Sequence, residues 1–346
     1  MSDAVSSDPI PTTGDARAAT RLAFARAALD DPDVALESAS EDASFRSYWR
    51  ARSRTGSAIV MDAPPDREDV ASWLDVDARL RAADLTAPRI LAADRRQGFL
   101  LLDDLGDRTY LPELNDATVD ALYADALAAL LTMQTRVDAR GLPAYDESHL
   151  VAELELMPTW FLQQHLGATI ECDEWDVIEA AFRLLVNSAL AQPRAFVHRD
   201  YHSRNLLIVT KSNPGIIDFQ DAVIGPVTYD LVSLLRDCYI VWDEPRVCAW
   251  SEMHRTKLQH AGWLDARIDA ETWQRWFDLM GLQRHLKVLG IFCRLWYRDG
   301  KRDYLADLPR VWHYVRSVAS RHPEFAGFVA LLEHKIGDRD LSVPTP

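Results

Sequence analysis

The sequence predicts an α+β fold in two lobes, a small mixed N-terminal lobe over 1–105 and a larger, mostly helical lobe over 106–346. Three observations predict it. Strand-like alternation crowds the first hundred residues around two helical patterns; apolar repeats of period 3.6 fill most of the rest; and short apolar runs interrupt those helices between 195 and 219. A chain of 346 residues is long enough to bury two separate cores.

In the first lobe an amphipathic helix is expected over 16–29, strands over 33–38, 44–51 and 57–62, a helix over 66–83, and strands over 89–94 and 98–103. Phe99-Leu100-Leu101-Leu102 then runs into the polar Asp103-Asp104-Leu105-Gly106, where the lobes should hinge. Helices are expected beyond it over 116–138, 147–165, 173–191, 226–240, 245–261, 270–298, 301–320 and 323–335.

The interruption at 195–219 carries the chemistry. It reads His198-Arg199-Asp200-Tyr201-His202-Ser203-Arg204-Asn205, then Gly215-Ile216-Ile217-Asp218-Phe219. In phosphoryl transfer a carboxylate accepts the proton of the attacking hydroxyl, while an amide and a second carboxylate hold magnesium on the nucleotide phosphates. Asp200 precedes Asn205 by five residues, the spacing such a loop requires, and Asp218 follows a second apolar run. The reading is a kinase centre with Asp200 as base, Asn205 and Asp218 as metal ligands, and ATP with Mg2+ as cofactors.

Phe219-Gln220-Asp221 and the run Gly225-Pro226-Val227-Thr228-Tyr229-Asp230-Leu231 resemble the aminoglycoside phosphotransferase and choline kinase-like superfamily, whose members phosphorylate small molecules. An Ala-Pro-Glu segment is missing and the helix expected over 226–240 begins shortly after Asp218, which leaves no room for a long docking loop for a protein substrate. The resemblance implies a bilobal protein-kinase-like fold. It further implies adenine binding by the Asp103 carbonyl and Leu105 N–H, and a phosphate-covering turn at Ser44, Phe45 and Arg46. His198 and Asp230 would brace the catalytic loop, and His202 and Arg204 would face phosphate or acceptor.

One position departs from that pattern. Met61 stands where a phosphate-gripping lysine is expected, and helix 66–83 offers Asp75 and Asp77 rather than a glutamate partner near the relevant turn. The pair is lost as a unit, which leaves no unpaired buried charge; Arg46 or Arg50 would then reach the phosphates, or magnesium would carry the charge alone. A pseudokinase is the reading in which nothing replaces it.

Acceptor recognition is expected from the helical lobe. Arg284, Lys287, Arg294 and Arg298 recur at helical spacing, with Lys301 beyond them, either as a solvated basic face or as cations for an anionic or oxygen-rich acceptor. Together with Met61-Asp62-Ala63-Pro64-Pro65 and Arg284-His285-Leu286-Lys287, the motifs look like those of the bacterial N-acetylmuramate/N-acetylglucosamine 1-kinases of cell-wall recycling. That resemblance implies a sugar acceptor phosphorylated at its anomeric hydroxyl. An aminoglycoside, choline-like or homoserine kinase is the alternative within the superfamily.

With 53 acidic against 38 basic residues and a net charge of −15, binding to nucleic acid or an anionic membrane is disfavoured. The polar start and the lack of a long apolar run point to a cytoplasmic protein. Cys172, Cys238, Cys248 and Cys293 lack metal-site spacing and are expected to be buried free thiols.

Overall fold

A computed structural model describes residues 13–41, 45–54 and 56–344. The chain divides into two compact units, Met1–Ala78 with Ala87–Gly106, and Arg79–Thr86 with Asp107–Pro346.

The first unit contains α1 (Thr13–Leu29), β1 (Ala35–Glu41), β2 (Ser47–Ser53), β3 (Gly56–Asp62), α2 (Val70–Ala82, its last turn counted with the second unit), β4 (Ile90–Asp94) and β5 (Phe99–Asp103). The strands form one antiparallel sheet in the order β1-β2-β3-β5-β4. Alternation puts Ala51, Ala58, Val60 and Leu101 on a common face, where they close a core with Ala25 of α1 and Val34. Asp62, at the end of β3, takes Arg17 Nε and Arg21 Nη1, each at 2.8 Å, and ties α1 to the sheet. Gly98 turns β4 into β5 at φ +73°, and a Cβ there would stand 1.8 Å from the Ala63 carbonyl oxygen, so the turn admits only glycine.

The second unit is built on α3 (Tyr110–Glu113), α4 (Val119–Arg136), α5 (Glu147–Leu154), a π-helix (Met157–His165), α6 (Cys172–Leu190), α7 (Tyr229–Leu235), α8 (Glu244–His260), α9 (Ala270–Tyr297), α10 (Leu308–Ala319) and α11 (Ala326–Ile336). Two ribbons interrupt them, β6 (Arg194–Val197) with β9 (Val223–Pro226) and β7 (Leu206–Leu207) with β8 (Gly215–Ile216). At 28 residues, α9 is about 42 Å long by its rise per residue. Every residue from Phe277 to Gly290 is buried, because the π-helix, α6, α7, α8 and α10 surround it.

Several expected elements are altered. The helix expected over 147–165 divides, since Pro158 has no N–H to give the ladder and the chain continues as a π-helix. That expected over 226–240 shrinks to Tyr229–Leu235, because residues 223–226 pair with β6 and Arg236 leaves helical geometry. The helices at 301–320 and 323–335 each open with a 3-10 turn, at Leu305–Asp307 and Pro323–Phe325. All four cysteines are free, but only Cys238 and Cys293 are buried; Cys172 is exposed and Cys248 half-buried.

Candidate active site

The loop 198–205 joins β6 to β7, and Asp218 follows β8 by two residues, so the two ribbons fix both ends of the site. The helix that follows supplies the brace. Asp230, fully buried on α7, accepts the His198 N–H at 2.6 Å on one oxygen and the Arg199 N–H at 3.0 Å on the other. Burial pushes its pKa up to about 6, against the pull of His198 and these two N–H donors. Arg199 is thereby held at φ +79°, a strained conformation for a residue other than glycine, directly before Asp200.

His198 locks the loop from inside. Its Nδ1 receives the Asp200 N–H at 3.3 Å and its Nε2 lies 3.1 Å from the Ile217 carbonyl, a pairing that calls for the neutral ring protonated on Nε2. Burial lowers its pKa in the same sense. On the far side, Asp237 accepts Ser203 N–H at 3.0 Å and Ser203 O–H at 2.5 Å on one oxygen, and the Tyr239 N–H at 3.0 Å on the other.

Asp200 emerges from this frame with a carboxylate that takes no hydrogen bond and closes no ion pair among the described residues. Burial pushes its pKa up, yet Lys287 first, then His202, Arg284 and Arg199 outweigh it and hold the carboxyl below its ordinary value. It is therefore ionised and has free lone pairs, the state a general base needs. Asn205 Nδ2 donates to the Asp200 carbonyl at 3.0 Å and to Asp218 Oδ2 at 3.2 Å, leaving the Asn205 carbonyl oxygen without a hydrogen bond among the described residues. Asp218 sits at φ +63° and takes Gln220 Nε2 on its other oxygen at 2.9 Å. No group of three or more His, Cys, Asp or Glu side chains able to hold a metal occurs among the described residues. An amide and a carboxylate oxygen do suit magnesium, a hard cation that keeps waters and takes phosphate oxygens for its remaining positions.

The helical cations separate into two groups. Arg284 and Lys287 are 3% and 7% exposed and act on Asp200, so for them the solvated basic face is ruled out. Arg284 Nε and Nη1 meet no partner among the described residues, and Cys238 lies beside the guanidinium. Lys287 Nζ is committed to Glu153 Oε1 at 2.8 Å and to the Tyr229 hydroxyl at 3.1 Å. Arg294 and Arg298 stand two and three turns further along α9, roughly 10 and 16 Å from Lys287 by helical rise. Arg298 pairs with Asp299 at 2.7 Å, and no bond joins either arginine to Asp200 or its neighbours among the described residues. His202 is buried, with Nδ1 unpartnered among the described residues, and the Arg204 guanidinium covers the Tyr239 ring at 3.6 Å.

Sequence reasoning did not find Glu153, Tyr145 or Asp237. Glu153 lies 46 residues before Arg199, and tertiary folding alone brings the two together.

In the first unit, Ser44 lies outside the described residues. Phe45 is exposed, with Arg67 over its ring at 4.7 Å, and its N–H donates to Glu68 Oε1 at 3.2 Å. Glu68 also meets Arg46 Nη1 at 3.4 Å, so the segment 66–83 does supply a glutamate to the turn, from just ahead of α2, where only Asp75 and Asp77 were expected. Arg50 instead forms a two-pronged pair with Asp104, at 2.7 and 3.2 Å. Met61 is fully buried between Tyr48 and Leu100 of the neighbouring strands. Asp103 accepts Arg89 Nε at 2.7 Å, and Leu105 follows it in the turn that Gly106 closes by donating its N–H to Asp104 at 2.9 Å.

A carboxylate free of hydrogen bonds and an amide on the braced loop, with a second carboxylate just beyond β8, are the kinds of group that a phosphoryl-transfer centre uses. The profile of the family described as "Phosphotransferase enzyme family" matches residues 35–277. The chain belongs to that family. It is 47% identical over 302 residues to the N-acetylmuramate/N-acetylglucosamine kinase of Pseudomonas aeruginosa, covering 87% of this chain and 88% of that protein. To the Pseudomonas putida protein of the same name it is 45% identical over 295 residues, covering 85% and 86%. Among solved structures, the GDP complex of aminoglycoside 2'-phosphotransferase-IIIa superposes with a TM-score of 0.59 at 13% identity, over 88% of this chain and 98% of that one. At that identity the likeness is one of fold: bilobal, kinase-like and α+β. No helix among the described residues is long and apolar enough to cross a membrane.

Proposed function

We propose that this phosphotransferase is an ATP-dependent kinase acting on the anomeric hydroxyl of N-acetylmuramate and N-acetylglucosamine, giving the sugar 1-phosphates in cell-wall recycling. The observation that carries the reading is an Asp200 carboxylate that takes no hydrogen bond among the described residues, with the buried cations Arg284 and Lys287 acting to hold its pKa down. The identity of 47% and 45% to kinases named for these two sugars supports the acceptor.

Asp200 takes the proton of the anomeric hydroxyl as its oxygen attacks the γ-phosphorus; the bond to the bridging oxygen breaks and ADP leaves. Asn205 and Asp218 are the residues to hold magnesium, which when bound neutralises phosphate charge. Adenine is assigned to the Asp103 carbonyl and Leu105 N–H. The phosphates are assigned to the backbone of Ser44 and Phe45 and to Arg46, whose pairing with Glu68 resembles the lysine–glutamate pair that Met61 cannot form. A cytoplasmic location follows from the nucleotide and from the recycled sugars.

A coupled ADP-release assay across both amino sugars, an aminoglycoside, choline and homoserine tests this. Release is expected with the two sugars and to be lost in Asp200→Asn, with ATP affinity kept within a few-fold. Release with an amine or antibiotic and neither sugar overturns the acceptor; undiminished turnover in the variant removes Asp200 from its role.

A further inference from the structure

Glu153, on α5, is 9% exposed, and its Oε1 receives Arg199 Nη2 at 2.6 Å and Lys287 Nζ at 2.8 Å, while Oε2 accepts the Tyr145 hydroxyl. Burial pushes its carboxyl up, but Lys287 and then Arg199 outweigh that and keep it ionised. One carboxylate thus holds two cations, and the trio carries a surplus positive charge. A structural ion cluster is ordinarily balanced, because a buried uncompensated charge is costly. Here Asp200 offsets part of the local positive charge, to which Arg284 also contributes; it feels Lys287 as its largest stabilising charge, and no hydrogen bond joins it to Lys287 or Arg199 among the described residues.

We propose that Glu153 is a positioning residue for the transfer: by fixing Lys287 and Arg199 on one oxygen, it keeps positive charge facing Asp200 while preventing either cation from closing an ion pair on the base. Two cations without an anchor would collapse onto the nearest carboxylate and occupy the lone pairs that must receive the hydroxyl proton. Anchored, they offset the negative charge gathering around base and phosphoryl group without moving during the reaction. Glu153 also restrains the side chain of Arg199, whose strained backbone sets the direction of Asp200.

The inference rests on Asp200 acting as the base in the proposed kinase reaction. The test compares Glu153→Gln, Lys287→Met and the double variant with the full-length enzyme, reading kcat, acceptor KM, ATP affinity and thermal unfolding. Glu153→Gln is expected to lower kcat on the order of tenfold or more, less than the hundredfold or greater loss on removing a direct transition-state donor, with ATP affinity within about twofold. The double variant should recover part of that loss, because the freed lysine leaves together with its anchor. A merely structural pair would give a double variant no faster than either single one. Glu153→Gln with unchanged kcat, or a double variant no faster than Glu153→Gln, overturns the proposal. If Glu153→Gln does not fold, Glu153→Asp replaces it: retention of at least half the native kcat supports the anchoring role, and a loss equal to that of Lys287→Met overturns it. Wild-type enzyme inactive on every acceptor instead defeats the kinase reading, an outcome separate from these.

Discussion

Asn205 Nδ2 donates to Asp218 Oδ2 at 3.2 Å, joining two ligand candidates that lie 13 residues apart, one just before β7 and the other just after β8 of the same ribbon. The same amide holds the Asp200 carbonyl, so Asp200, Asn205 and Asp218 form one hydrogen-bonded unit. The donor group of Asn205 is spent inside the protein and its oxygen faces no internal donor, which sets the amide's orientation for a cation.

That unit predicts an unequal response to substitution. Asp218→Ala removes a charged oxygen ligand and Asn205→Ala a neutral one, so both should raise the magnesium concentration needed for half-maximal activity, the former more. Magnesium titration at fixed ATP measures the order. An unchanged requirement in both variants would take the metal away from this pair.

Asp230 gives a pH dependence with a definite sign. Above about 6 it is ionised and both oxygens accept the His198 and Arg199 N–H groups; below about 6 its proton occupies one of those acceptor sites. His198 and Asp200 are the titratable groups whose charge acts on it. Turnover should therefore fall as the pH drops through about 6. In Asp230→Asn, where one acceptor is permanently replaced by an amide, turnover should be low throughout and the step near pH 6 absent. A profile of kcat against pH for the two proteins decides it, and an identical step in the variant would assign that step to another group.

The segment from Asp200 to Asp218 stood out in the sequence because phosphoryl-transfer chemistry dictates both residue type and spacing, and the structure brings Asn205 within hydrogen-bond reach of the Asp200 carbonyl and of Asp218. The sheet was legible from its alternation, as at Ala58 and Val60. Some errors had visible signals, for Pro158 marks the break between α5 and the π-helix, and Gly225-Pro226 argues against a helix starting at 226. Glu153 had none. Its side chain reaches Arg199 and Lys287 from 46 and 134 residues away in sequence, and helical periodicity alone reads a glutamate on α5 as solvent-facing. For the same reason, charge pattern could not separate Arg284 and Lys287, sunk in the core, from Arg298, held by Asp299 at the surface.

Gly290 sets how closely α9 approaches the segment between α5 and the π-helix. A Cβ there would stand 2.3 Å from the Leu156 carbonyl carbon, a backbone atom that cannot rotate away. Gly290→Ala should destabilise the protein by about 1–3 kcal/mol through overpacking, despite alanine's better helix propensity. The denaturation midpoint measures this. A midpoint equal to or above that of the native protein would mean that α9 moves freely against its neighbour.

The acceptor prediction concerns Arg284. It is the cation near Asp200 whose Nε and Nη1 donors have no partner among the described residues, whereas Lys287 is committed to Glu153 and Arg298 to Asp299. A lactyl carboxylate on N-acetylmuramate would supply the missing acceptor, and N-acetylglucosamine has none. A charge-assisted hydrogen bond is worth roughly 1.5–3 kcal/mol, or on the order of ten- to a hundredfold in affinity. Arg284→Gln, close in shape and uncharged, should raise KM for the acidic sugar by about that factor and change it much less for the neutral one. The ratio of the two effects separates carboxylate recognition from general damage to a buried site. Equal losses on both sugars would remove Arg284 from acceptor recognition, and Arg294→Gln, nearly three turns further along α9, would then be the variant to compare in the same ratio.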